Sequence, residues 1–89
     1  MQLLDIIAYA ELFNGRVEYF KKAPISDIFY DLQRGMVTLN FYDNMFSITF
    51  HKHEIKNYTT EYVGSVLKEI VDKIDKGVIT KESYYDPID

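Results

Sequence analysis

Residues 27–51 read DIFYDLQRGMVTLNFYDNMFSITFH, and this stretch decides the fold. Ile28, Tyr30 and Leu32 alternate with Asp27, Phe29, Asp31 and Gln33. Val37, Leu39 and Phe41 alternate with Thr38, Asn40 and Tyr42, and Phe46, Ile48 and Phe50 with Ser47, Thr49 and His51. A period of two in runs rich in β-branched and aromatic residues predicts three strands. Asp43-Asn44 supplies a two-residue loop of types that tolerate positive φ, pairing Phe41 with Phe46, Leu39 with Ile48 and Val37 with Phe50. Arg34-Gly35 supplies a second, pairing Leu32 with Val37, Tyr30 with Leu39 and Ile28 with Phe41. With these registers all nine apolar residues share one face of an antiparallel meander.

That face needs a cover. In residues 60–76, Val63, Val66, Leu67, Ile70, Val71 and Ile74 recur at helical spacing and form one stripe. Thr59 or Thr60 can cap the helix start, Glu61 sits in its first turn, and Gly77 can end it. Gly64 weakens the local helix and suggests a close approach to the sheet. Leu3, Ile6, Ile7, Ala10 and Phe13 fit an N-terminal helix ending at Asn14-Gly15. The alternative, a hairpin turning at Asn14-Gly15, is disfavoured by Ala8, Ala10 and Glu11. Residues 16–22 then form a short strand or an extended connection. The fold class is α+β: a two-layer sandwich of an N-terminal helix, a three-stranded antiparallel meander (four-stranded if 16–22 is a strand), and a long C-terminal helix on one sheet face. Residues 1–79 form one domain and 80–89 a C-terminal tail.

Composition narrows the function classes. The 89 residues contain no cysteine, which removes disulfides and thiolate metal sites. The N-terminal apolar run is preceded by no basic residue and is too short to span a bilayer, so a cytoplasmic, non-membrane protein is expected. Net charge is −4, and residues 1–45 (six acids, four bases) and 46–89 (eight acids, six bases) each contribute −2. With no basic stripe beyond the pair Lys21-Lys22, duplex nucleic acid is an unlikely partner, because its affinity comes mainly from phosphate neutralisation.

Catalytic constellations are missing from the sequence. Ser26, Ser47, Ser65 and Ser83 lie in no nucleophile-elbow context, and the glycines are isolated, so no phosphate-cradling loop is spelled out. No cofactor is indicated, and a non-enzymatic role is expected. His51 and His53, two residues apart on one strand side, are weak candidate metal ligands; Arg34 is a poor neighbour for a dication. The polar sheet face carries Phe29 and Tyr42, which could stack single-stranded bases but lack nearby cations; contact with a protein suits them better. Eight tyrosines cannot all be buried with satisfied hydroxyls. Tyr84 and Tyr85, in an acidic and unpatterned terminus, read as a docking segment or a strap over the core.

The interaction candidates are therefore Phe29, Tyr42, Tyr84 and Tyr85, and the partner is another protein or a second copy of the chain. A small regulator or inhibitor is the leading expectation. A homo-oligomeric structural protein, and a single-stranded nucleic-acid or metal-binding domain, are the alternatives. The order helix, meander, helix with mild acidity is also found in several small inhibitors of phage and mobile elements, an analogy of fold that covers no motif.

Overall fold

A computed structural model describes residues 2–15 and 23–78. The elements run α1 (Leu3–Asn14), β1 (Ile25–Asp31), β2 (Met36–Phe41), β3 (Phe46–His51), a short 3-10 helix (Ile55–Asn57) and α2 (Thr60–Asp75). The sheet has the order β1-β2-β3 and is antiparallel throughout. A three-stranded meander with a helix on either side of it in sequence is the expected α+β architecture. The expected strand or connection at 16–22 and the tail at 80–89 lie outside the described residues.

The β2–β3 hairpin has the register read from the alternation: Phe41↔Phe46, Leu39↔Ile48 and Val37↔Phe50. Its turn is more demanding than two residues at positive φ. Tyr42, Asp43 and Asn44 all adopt left-handed conformations (φ 47, 54 and 72°), and Met45 N–H bonds to Phe41 O at 2.9 Å. For a tyrosine this is unfavourable backbone, and side-chain hydrogen bonds hold it. Asn40 Oδ1 accepts from Asn44 N–H (3.0 Å), and Asn40 Nδ2 donates to the Asn44 side chain. Ser26 Oγ accepts from Asp43 N–H (3.1 Å) and donates to Asn40 O (3.1 Å). Ser26 is free for this because β1 bulges between Ile25 and Asp27.

The β1–β2 hairpin departs from expectation. Its loop has four residues, Leu32–Gly35, and the pairs are Tyr30↔Val37, Ile28↔Leu39 and Asp27↔Asn40. The reason lies at Asp31, whose Oδ1 accepts from both Gln33 N–H and Arg34 N–H (3.1 Å each). An aspartate that captures the next amides pulls the chain out of the strand two residues early. The resulting slip is by two, so inward and outward faces keep their parity. Leu32 nevertheless leaves the sheet, and Ile25, across the bulge, takes the place opposite Phe41 that Ile28 was expected to fill.

Both helices cover the face carrying Val37, Leu39, Phe41, Ile48 and Phe50. The core adds Leu3, Ile6, Ala10 and Phe13 from α1, and Val63, Val66, Leu67, Ile70 and Val71 from α2. Thr59 caps α2, its Oγ accepting from Tyr62 N–H at 3.1 Å, and Gly77 ends the segment at φ 75°. Lys73–Glu69 (2.8 Å) and Lys76–Asp72 (3.0 Å) line its outer side at i,i+4 spacing. Of the two readings of the N-terminal segment the helix is the one formed (Leu3–Asn14), and Asn14 explains how that helix is tied down. Its Oδ1 accepts from Ile25 N–H (2.7 Å) and its Nδ2 donates to Ile25 O (2.9 Å), so one amide side chain substitutes for a neighbouring strand. Gly64 does permit a close approach, but to α1 and not to the sheet: a methyl added there would overlap the Tyr9 hydroxyl.

Candidate functional site

Most large apolar side chains among the described residues are buried or half-buried, which makes the fully exposed ones informative. Among the described residues they are Leu4, Leu12, Phe29, Tyr30, Leu32 and Val78. Five of these six fall into two patches on regular elements or their adjoining turn.

The first patch is a ridge on α1. Leu4 (64% exposed), Ala8 and Leu12 (59% exposed) follow one another at i, i+4 and i+8 on the side opposite the buried Leu3, Ile6, Ala10 and Phe13. A surface helix normally sets polar residues there; α1 is apolar on both sides. Beside the ridge runs an open groove of about 420 Å³, lined by Asp5, Ala8, Tyr9, Leu12, Tyr58, Thr59 and Thr60. Its α2 wall is rigidly built. Tyr58 is buried, packs edge-on against Phe50 and stacks on Tyr62 (5.5 Å between ring centres in each case), and donates to Glu54 Oε2 at 3.2 Å.

The second patch is the end of β1. Phe29 (57% exposed) points to the helix-free sheet face, in a row with Thr38 and Thr49, whose hydroxyls share a hydrogen bond of 2.9 Å. Tyr30 (59% exposed) points to the helix side, yet the helices do not reach it. The cover is anchored at the other end of the strand, where Asn14 holds Ile25. Leu32 stands out from the turn beyond.

Phe29 and Tyr42, both expected on the polar face, do not share it. Left-handed backbone takes Tyr42 out of the strand and packs it against the core edge. Burial raises its phenol pKa above the usual value, and the Asp75 carboxylate at the end of α2 adds to the shift. Among the described residues the helix-free face thus presents Phe29 beside Thr38, Ser47, Thr49 and His51. Tyr84 and Tyr85 lie outside the described residues.

His51 ends β3 opposite Met36, and its ring lies 5.5 Å from that of His53 in the turn beyond. Strand three stops at His51, so Glu54 does not point away as a continued strand would direct it; its Oε1 is 3.4 Å from His53 Nε2. Among the described residues no group of three His, Asp or Glu side chains is placed to share a metal ion.

The α1 ridge was legible as Leu4-x3-Ala8-x3-Leu12, but an inward stripe accounts for a helix without it, and only the packing shows which stripe is left over. Comparison with family models, curated proteins and solved structures finds no match to this chain. Among the described residues no helix is long and apolar enough to cross a membrane.

Proposed function

We propose that the chain is a small, non-enzymatic protein-interaction module, a regulator or inhibitor that acts by surface complementarity. The observation that carries this reading is the exposed Leu4–Ala8–Leu12 ridge of α1, with the Tyr9–Tyr58 groove beside it. Leaving three aligned apolar side chains in water is unfavourable by about 25 cal/mol per Å², and a partner that buries them recovers that free energy. An apolar helix or strand edge laid along the groove fits the geometry. The absence of cysteine agrees with action in the cytoplasm.

The test is capture from the native host with Leu4→Gln/Leu12→Gln as the comparison bait. Both sites are exposed, so the variant should melt within a few degrees of the parent while losing the captured protein. Equal capture by parent and variant refutes the ridge as the site.

A second reading, self-association through β1, is favoured by Phe29 and Tyr30, which project apolar surface from both faces of one strand. It requires a dimer mass by light scattering at micromolar concentration, returned to monomer by Tyr30→Lys. A parent chain that stays monomeric throughout removes it.

A further inference from the structure

In a chain of net charge −4, the ionisable groups among the described residues lining a second groove are all basic. It has a volume of about 480 Å³ and is lined by Gln2, Leu3, Arg34, Lys52, His53, Ile55 and Lys56. Lys52, His53 and Lys56 are close in sequence, and turn geometry brings Arg34 to them. The Leu32–Gly35 turn supplies Arg34, the turn after β3 supplies Lys52 and His53, and the 3-10 helix supplies Lys56. The two turns are locked to each other: Lys52 N–H bonds to Gly35 O at 2.7 Å, and Gly35, at φ 67°, leaves room for the Lys52 side chain to lie against it.

We propose that this groove binds a compact, multiply charged phosphate group carried by a soluble small molecule. Arg34, Lys52 and Lys56 give it three fixed positive charges, with His53 at the rim. Asp31 is the nearest acid to Arg34, at 3.7 Å from its Nε, and Glu54 approaches His53; neither lines the groove. Asp5 lines the other groove, and its Oδ2 accepts from Gln2 N–H at 2.8 Å. Among the described residues neither Lys52 nor Lys56 forms an ion pair. Two lysines without an ion pair, in one groove with a guanidinium whose Nε faces Asp31, call for an anion with more than one charge, and the oxygens of a phosphate or diphosphate can accept from all three. The acidic remainder of the chain selects against a long polyanion, whose further phosphates would lie over negative surface. The site is independent of the α1 ridge and of β1.

The experiment is a titration of the ¹⁵N-labelled chain with sodium pyrophosphate, against sodium chloride at matched ionic strength. Saturable shifts confined to residues 34–35 and 51–56 are expected. Lys52→Gln/Lys56→Gln should weaken the affinity about tenfold or more, Arg34→Gln should weaken it as well, and Lys68→Gln on the outer side of α2 should not. All four positions are exposed, and unchanged melting temperatures confirm that the fold is kept. Shifts that do not saturate, that sodium chloride reproduces, or that the lysine double variant leaves intact overturn the proposal. Phosphatidylcholine vesicles carrying phosphatidylinositol 4,5-bisphosphate test the other source of this chemistry. Sedimentation with them by a chain that ignores pyrophosphate overturns the assignment to a soluble ligand.

Discussion

Asn14→Ala tests how the N-terminal helix is held to the sheet. The substitution removes two hydrogen bonds, Ile25 N–H to Oδ1 at 2.7 Å and Nδ2 to Ile25 O at 2.9 Å, and leaves both backbone groups of a buried residue without these partners. Each such bond contributes about 1 kcal/mol net, and partial burial of the orphaned groups adds to the loss. Alanine is the better helix former by a few tenths of a kcal/mol at a helix end, which offsets a little of this. The expected net destabilisation is about 2 kcal/mol, equivalent to a fall in melting temperature of about 8–16 °C for a domain of this size. Urea denaturation followed by circular dichroism should show a lower midpoint at unchanged slope. Amide exchange should show the Ile25 proton losing protection beyond the global change. Asn14→Asp serves as a second variant: it keeps the acceptor for Ile25 N–H but sets a carboxylate oxygen against Ile25 O, so it should also be destabilised while retaining protection at Ile25. A loss below about 0.5 kcal/mol in Asn14→Ala, with Ile25 as protected as before, would refute the clamp.

Three further outcomes follow from particular contacts. Gly35→Ala combines a left-handed φ of 67° with a new Cβ 2.6 Å from Lys52 Cβ, and should lower stability by about 2–4 kcal/mol in thermal or urea unfolding. Leu67→Ala, at a fully buried position between α2 and the sheet, should cost about 2–5 kcal/mol in the same measurement. Tyr42 has its folded-state pKa raised, so its contribution is fully present below the unfolded value near 10 and is lost as pH rises through the folded value. Stability should therefore fall with pH in alkaline solution, and urea midpoints at pH 9 and pH 11 should differ less in Tyr42→Phe than in the parent.

The two hairpins separate what alternation can and cannot decide. Around Asp43-Asn44 the inferred register holds because the strands on both sides alternate without a break up to the turn. Around Arg34-Gly35 the same reasoning sets the faces correctly and the register wrongly. Parity is a property of the strand, whereas register here depends on a single carboxylate, Asp31, finding two amides. Asn40 and Ser26 illustrate the same limit. In the sequence Asn40 only alternates with the apolar stripe and Ser26 precedes the alternating run, yet they hold three consecutive left-handed residues in place. Of the candidate interaction residues, Phe29 is exposed on the helix-free face and Tyr42 is folded against the core edge. The α1 ridge and the basic groove enter only with tertiary structure.

By itself the sequence determined the α+β class, the three strands, the inward faces of β2 and β3, and the limits of α2 with a threonine at its start. All of these follow from local periodicity and from residues that act on their immediate neighbours. Tertiary structure decided which stripe of α1 is buried, which end of β1 the helices leave uncovered, and that Arg34, Lys52 and Lys56 meet. Those features depend on where a turn ends and how far a helix reaches, and short-range chemistry does not encode contacts between segments distant along the chain.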